Sequence, residues 1–333
     1  MTTVSVPVEG ADQAGEARRA AGAAASALGF DESTVGRVGI VVTEMASNLW
    51  KHAGGGQMLI SRVLFEGQPC IEALALDRGP GMLDVARCFQ DGYSTAGSAG
   101  SGLGAISRLS DCDLFTQPVK GTAVLARITR RKPEATSRAP FACGGVCVPI
   151  PSEDVCGDGG SFRQAGSNLL MMLADGLGHG PSAAQFSLRA IEVFQSSKSD
   201  QPAQIISEMH RALHGTRGGA VSLARLDPHN RTIRFAGVGN VAGMVSYGGR
   251  DSKNFVSMPG IVGHNANNVR EFTYEWPTHA PVLLYSDGII SHWSLDDYQG
   301  LASHDPSLIC GVVYRDKKRG RDDASVLAVR ERS

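Results

Sequence analysis

The sequence predicts two α/β domains in series, and three observations predict it. The chain has 333 residues, more than a single core of ordinary size needs. The stretch "RRKPEATSRAP", residues 130–140, carries charges, two prolines and almost no apolar content, which reads as a linker. Before it, helical and strand patterns mix. After it come many short strands and few helices, the pattern of two packed sheets with helices outside. The expected domains are 1–131 and 141–333, joined by 132–140.

The first half is read in order. "TVSVPV" alternates and predicts a short strand. "ADQAGEARRAAGAAASAL" is alanine-rich and helical, closed by Gly29. Asp31 is placed to cap a helix running to about His52, which Gly54, Gly55 and Gly56 end. "MLISRVLF" and "CIEALALD" read as paired strands, and "GTAVLARITR" as another. In the second half "CVPIP", "NLLMMLAD", "AVSLARLD", "TIRFAGVG", "AGMVSYG", "EFTYEW", "PVLLYSDG", "LICGVVYR" and "ASVLAVR" read as strands. "PSAAQFSLRAIEVFQSS" and "QPAQIISEMHRALHG" read as helices between them.

Bulk composition excludes several classes. A formal charge of −1 leaves no basic footprint for nucleic acid. No apolar run approaches the roughly 20 residues that span a membrane. The N-terminal stretch lacks the basic start and apolar core of a signal peptide. The expectation is a soluble, cytoplasmic protein that binds neither nucleic acid nor membrane. Seven cysteines without a CxxC pair read as reduced, buried thiols.

Chemistry in the first half centres on "TEMASNLWKHA". On a helix, Glu44, Asn48 and then Lys51 or His52 share one face. An amide oxygen there suits Mg²⁺, and a carboxylate suits orienting a water or hydroxyl. "DRGPG" ends a strand on Asp77, whose carboxylate can accept from an exocyclic amine, with Gly79 and Gly81 beside it. "GSAGSGLGAISRL" is a glycine-rich loop opening a helix, whose free amides suit phosphates. Gly121-Thr122 follows. In that order the motifs resemble a Bergerat-type ATP site.

Residues 1–131 resemble the GHKL ATPase fold of anti-sigma-factor serine kinases. "DGYSTAGSAGSGLGAISRLSD" is similar to the RsbT-like switch kinases of stressosome systems, while "WKHA" stands closer to the anti-sigma branch. The resemblance implies an α/β sandwich binding ATP with Mg²⁺. It implies Glu44 as the base-like residue and Asn48 as the Mg²⁺ ligand. Lys51 or His52 would face the phosphates, and Asp77 the adenine amine in a pocket shaped by Gly79 and Gly81. Gly100, Gly102, Leu103 and Gly104 would cover the phosphates, and Thr122 would assist at the adenine end. The implied substrates are serines or threonines of STAS-domain proteins.

In the second half, acidic residues recur at strand ends. Asp158 lies in "VCGDGG", Asp175 ends "LLMMLAD", Asp287 ends "PVLLYSD", and Asp322 and Asp323 precede the last strand. Carboxylates converging from separate strands make a hard-oxygen site for Mg²⁺ or Mn²⁺. Two such ions activate water and hold a phosphate for in-line attack. The pattern GD…DGLGHG…GVGN…SDG…DDAS resembles metal-dependent PPM-type Ser/Thr phosphatases, in their SpoIIE and RsbX branch. The resemblance implies an α-β-β-α sandwich over about 141–331 with two Mn²⁺ or Mg²⁺. By position Asp158, Asp175, Asp287 and Asp322 would be ligands, with the Gly176 carbonyl. Asp175 is also read as catalytic, and Asp322 is preferred to Asp323. His179 is placed near the phosphate or in a turn. Gly237-Val238-Gly239-Asn240 reads as a structural turn. The sequence shows no equivalent of the phosphate-binding arginine of larger relatives, and Arg163 is the residue taken for that place.

Together the halves predict a kinase fused to a phosphatase in partner-switching stress signalling, acting on STAS-domain regulators. The alternative is a first half that binds a sigma factor or other partner under nucleotide control without phosphorylating it, leaving only the phosphatase catalytic.

Overall fold

The computed structural model describes residues 3–88, 102–131, 139–248, 251–266 and 268–332. The chain divides into two units, one ending at Ala139 and one beginning at Pro140.

The first unit runs β1 (Thr3–Val8), α1 (Ala11–Ala27), α2 (Glu32–Ala53), β2 (Gly56–Phe65), β3 (Gln68–Leu76), α3 (Val85–Cys88), α4 (Gly102–Leu109), β4 (Asp111–Gln117) and β5 (Gly121–Thr129). Its strands form one antiparallel sheet ordered β1-β2-β3-β5-β4. Helix α1 buries Ala14, Ala17, Ala21 and Ala25, one stripe at helical spacing. The Asp31 carboxylate accepts from the Thr34 amide at 2.8 Å and starts α2. Gly54, at φ +73°, ends it in the left-handed turn that favours glycine. Val38, Val41, Val42, Met45 and Leu49 of α2 pack with Met58, Ile60, Ile71, Val124 and Ile128 of the sheet in one core.

The second unit runs β6 (Phe141–Val148), β7 (Asp158–Ala165), β8 (Asn168–Gly176), α5 (Pro181–Ser196), α6 (Pro202–Ala212), β9 (Gly219–Asp227), β10 (Thr232–Val238), β11 (Ala242–Gly248), β12 (Asp251–Asn254), β13 (Glu271–Glu275), β14 (Val282–Tyr285), α7 (Pro306–Lys317) and β15 (Ala324–Glu331). Two five-stranded antiparallel sheets form, ordered β13-β10-β9-β8-β7 and β12-β11-β14-β15-β6. Strand β8 shows why its run is apolar without a break. Leu169, Met171 and Leu173 enter the core shared with Val282, Leu284 and Leu327 of the other sheet. Leu170, Met172 and Ala174 enter the core shared with Phe186 and Phe194 of α5 and Met209 of α6. Both faces of the strand are covered, so alternation disappears. Helix α7 lies against β6 and β15, completing an α-β-β-α sandwich.

Two elements differ from the sequence reading. The strand expected at "CVPIP" is instead β6, Phe141–Val148, which holds only its Cys147 and Val148. "LICGVVYR" is not a strand but most of α7. The Asp305 carboxylate accepts from the Ser307 amide at 2.9 Å, and Pro306 occupies the first turn. Every residue from Pro306 to Arg315 is buried, so the helix shows no polar face and no helical period. Strands β4, β7 and β12 carry too many polar residues and glycines to stand out in the sequence.

Candidate active sites

In the second unit, register brings the carboxylates together. Asp158 of β7 pairs directly with Asp175 of β8. Burial pushes the Asp158 carboxyl up to about 7, with Asp323 and Asp322 adding repulsion, against hydrogen bonds from Ser286 and Ser325. Its Oδ2 is buried without a hydrogen-bond partner. Half-buried Asp175 is pushed up to about 9, first by burial and then by Asp158, Asp287, Asp322 and Asp323. Burial and then Asp322 raise Asp287, opposed by the Asn240 hydrogen bond and by Arg319.

The neighbouring acids Asp322 and Asp323 have different surroundings. Asp322 is exposed at the rim. Asp323 is buried, and its two oxygens accept from the amides of Ile150 at 2.7 Å and Gly157 at 2.6 Å. It fastens two backbone segments behind the site. A Cβ at Gly288 would lie 1.9 Å from the Asp323 carbonyl oxygen. Gly288→Ala is therefore expected to lose at least about 1–3 kcal/mol through overpacking, read as a drop of several degrees in the melting temperature.

Gly176 donates to the Gly157 carbonyl at 3.4 Å, and a Cβ there would stand 2.3 Å from the Ala183 carbonyl oxygen. His179 Nδ1 lies 2.6 Å from Glu153 Oε1. Two residues were missed in the sequence. Asn240, read as a turn residue, donates from Nδ2 to Asp287 Oδ2 at 2.6 Å. Glu153 carried no signal until the fold placed it on His179. Arg163 lies elsewhere: it donates to the Ser197 and Ser199 carbonyls at 2.7 and 2.6 Å and stacks over Phe194. Its position on β7 turns it toward the end of α5, away from the acids.

Among the described residues no three His, Cys, Asp or Glu side chains close around one point as placed. The carboxylates share one end of the sandwich and act on one another, without forming a finished coordination shell. Their chemistry fits divalent cations: mutually repelling carboxylates, one with an orphaned buried oxygen, are relieved by positive charge.

In the first unit, Glu44 and Asn48 stand half-buried on α2. The start of α4 comes against them: a Cβ at Gly102 would lie 3.0 Å from Glu44 Oε2 and 3.5 Å from Asn48 Oδ1. Leu103 packs on the core and Gly104 is buried, while Gly100 lies outside the described residues. Lys51 and His52 are both exposed at the end of α2, with Lys51 Nζ 5.4 Å from the Trp50 ring centre.

Asp77 Oδ1 accepts from the amides of Gly79 at 2.8 Å and Thr122 at 3.0 Å, fastening the end of β3 to β5. Thr122 Oγ1 lies 3.0 Å from Thr116 Oγ1. The nearby glycines also have structural reasons. A Cβ at Gly79 would meet that of Ala53 at 2.6 Å, and Gly81, at φ +73°, would place one 2.4 Å from the Gln117 carbonyl oxygen. A groove of about 540 Å³ runs between α1 and α2, lined by Arg18, Gly22, Gly36, Gly39 and Ile40 among others, and it reaches Glu44.

Comparison with known proteins agrees with this two-part architecture. The family Stage II sporulation protein E (SpoIIE) matches residues 165–332, and the histidine kinase-like ATPase domain matches residues 8–128. Serine/threonine-protein kinase RsbT of Bacillus subtilis (strain 168) is 37% identical over 87 residues, 26% of this chain and 65% of RsbT. The chain thus spans just under two thirds of that relative. Phosphoserine phosphatase RsbX of the same organism is 21% identical over 137 residues, 41% of this chain and 69% of RsbX. A solved structure from work on the bacterial stressosome, described as a modular system adapted to control secondary messenger signalling, is 25% identical with a TM-score of 0.51. It covers 58% of this chain and 100% of that one. An ATPase-like domain of GHKL type therefore precedes a SpoIIE-type phosphatase domain. No described helix is long and apolar enough to cross a membrane.

Proposed function

The chain belongs to the SpoIIE family, and on that premise we propose that it both adds and removes phosphate on a serine or threonine of a STAS-domain regulator. The observation that carries the reading is the carboxylate cluster, whose members raise one another's pKa at one end of the sandwich. Such a cluster is a poor device for stability and a good one for holding cations.

Asp158, Asp175, Asp287 and Asp322, with the Gly176 carbonyl, would hold two Mn²⁺ or Mg²⁺. Bound there, the ions would supply an activated water and a charge clamp on phosphate. The remaining residues prepare that site. Asn240 fixes the Asp287 carboxylate, and the hydroxyls of Ser286 and Ser325 fix Asp158. Glu153 holds His179 by Nδ1, leaving Nε2 as the ring nitrogen that would meet a substrate.

In the first unit, Asn48 would hold the Mg²⁺ of ATP and Glu44 would take the proton of the acceptor hydroxyl. Asp77, held by two amides, would accept from the adenine amine, with Thr122, Gly79 and Gly81 around it. Lys51 or His52, together with Gly100, Gly102, Leu103 and Gly104, would hold the phosphates. The groove between α1 and α2 gives an acceptor side chain a route to Glu44.

Two assays with a purified STAS-domain regulator test the reading. With labelled ATP and Mg²⁺ the regulator gains label, and with Mn²⁺ the phosphorylated regulator loses it. ATP binding without any transfer would leave the first unit a nucleotide-gated binding module. No metal-dependent release would remove the phosphatase assignment.

A further inference from the structure

We propose that Arg217 binds the phosphoryl group of the phosphatase substrate, a phosphomonoester on a protein side chain. The inference rests on the phosphatase reading of the carboxylate cluster. The β8–β9 ladder pairs Asp175 with Ala220 and Gly176 with Gly219. One step beyond, the Leu177 amide donates to the Gly218 carbonyl at 3.0 Å. This register sets Arg217 alongside Gly178, three residues past Asp175. A Cβ at Gly178 would lie 3.3 Å from Arg217 Nη1, and Gly178 has φ +86°. Glycine meets both demands: the left-handed backbone, and room for a guanidinium lying over it.

Arg217 is exposed and makes no hydrogen bond or ion pair among the described residues. It has this freedom at the level of Gly178, three residues past Asp175. The cation whose charge reaches Asp287 is Arg319, from the other sheet's side of the site. Once divalent cations engage the carboxylates, a guanidinium at this rim has no protein anion to take. Its planar fork of N–H donors matches two oxygens of a phosphoryl group.

The rim also favours a phosphate carried on protein. Val155, Leu177 and Ile290 are 40%, 45% and 38% exposed, and each lies within three residues of Asp158, Asp175 or Asp287. Apolar side chains around a polar centre suit contact with a protein segment. The sequence signal was an arginine between a threonine and two glycines, "GTRGGAV", directly ahead of a strand.

The test uses the full chain loaded with Mn²⁺, and inorganic phosphate as the probe. By calorimetry, Arg217→Ala is expected to weaken phosphate binding by about 10- to 100-fold, the worth of charge-assisted hydrogen bonds. Arg217→Lys is expected to recover part of it. Mn²⁺ binding stays at the wild-type level. In turnover of a phosphorylated STAS-domain regulator, KM rises by a similar factor and kcat changes much less. Unchanged phosphate affinity in Arg217→Ala, with Mn²⁺ binding still lost in Asp175→Asn, would overturn the inference and leave the phosphatase reading standing. A wild-type chain that binds no Mn²⁺ and releases no phosphate would remove that reading, and the inference with it.

Discussion

Asp175→Asn is expected to abolish metal-dependent phosphate release while making the metal-free chain more stable. The loss follows from removing a carboxylate that four others face. Outer-shell changes at metal sites already cost about 10- to 100-fold, so loss of a ligand is expected to exceed roughly 100-fold. The gain in stability follows from the sign of the shift. An unfolded aspartate titrates at about 3.9, whereas Asp175 in the folded chain is pushed up to about 9. Between these values the folded state holds the extra proton. Stability is therefore greatest below the unfolded value and falls as pH rises toward the folded one, by at most about 1.4 kcal/mol per pH unit. Solvent reaching the half-buried carboxyl makes the real slope smaller. Asparagine does not ionise, so the variant loses this slope. Thermal melts in chelator at pH 5.5 and pH 8.5 check it: the wild-type melting temperature falls more than that of the variant. Adding Mn²⁺ at the higher pH then raises the wild type and leaves the variant unmoved. A variant less stable than wild type at pH 8.5 in chelator would contradict this account of the cluster.

Asn48→Ala is expected to remove ATP-dependent labelling of the STAS-domain regulator without affecting phosphate release. The Asn48 amide lies with Glu44 against the start of α4, where Gly102 leaves little more than van der Waals room. Alanine is the better helix former, so α2 is expected to remain intact. The outcome to measure is transfer at saturating ATP, with a fall of at least about 100-fold, as expected for an oriented metal ligand. The melting temperature stays within a few degrees of wild type. Normal labelling by this variant would move the nucleotide chemistry off α2.

How much of this was legible in the sequence differs from residue to residue. Asp31 and Gly54 mark the ends of α2 because capping is local chemistry. The run before Asp175 reads as a strand because its residues are buried on both faces and end on a charge. The same uninterrupted burial hid α7, where an apolar stretch without period looks like a buried strand; only Asp305-Pro306 distinguished it. The acidic positions were visible because each sits at a strand end, Asp158, Asp175 and Asp287 beside a glycine and Asp322 and Asp323 as a pair just before β15. Their partners were not. Asn240 meets Asp287, Glu153 meets His179, and Arg217 meets Gly178 only through register between strands and loops distant in sequence. The different surroundings of Asp322 and Asp323 depend on the amides of Ile150 and Gly157, more than 160 residues earlier.

The central claim is that one chain adds and removes phosphate at the same hydroxyl. Two single-activity variants test it together. Asp175→Asn, with ATP and Mg²⁺, is used to phosphorylate the STAS-domain regulator, and the modified residue is located by mass spectrometry. Asn48→Ala, with Mn²⁺ and no ATP, is then added to that phosphorylated regulator. The account predicts one principal serine or threonine, phosphorylated by the first variant and cleared by the second. A regulator that the first variant leaves unphosphorylated, or a phosphate that the second leaves in place, would contradict it.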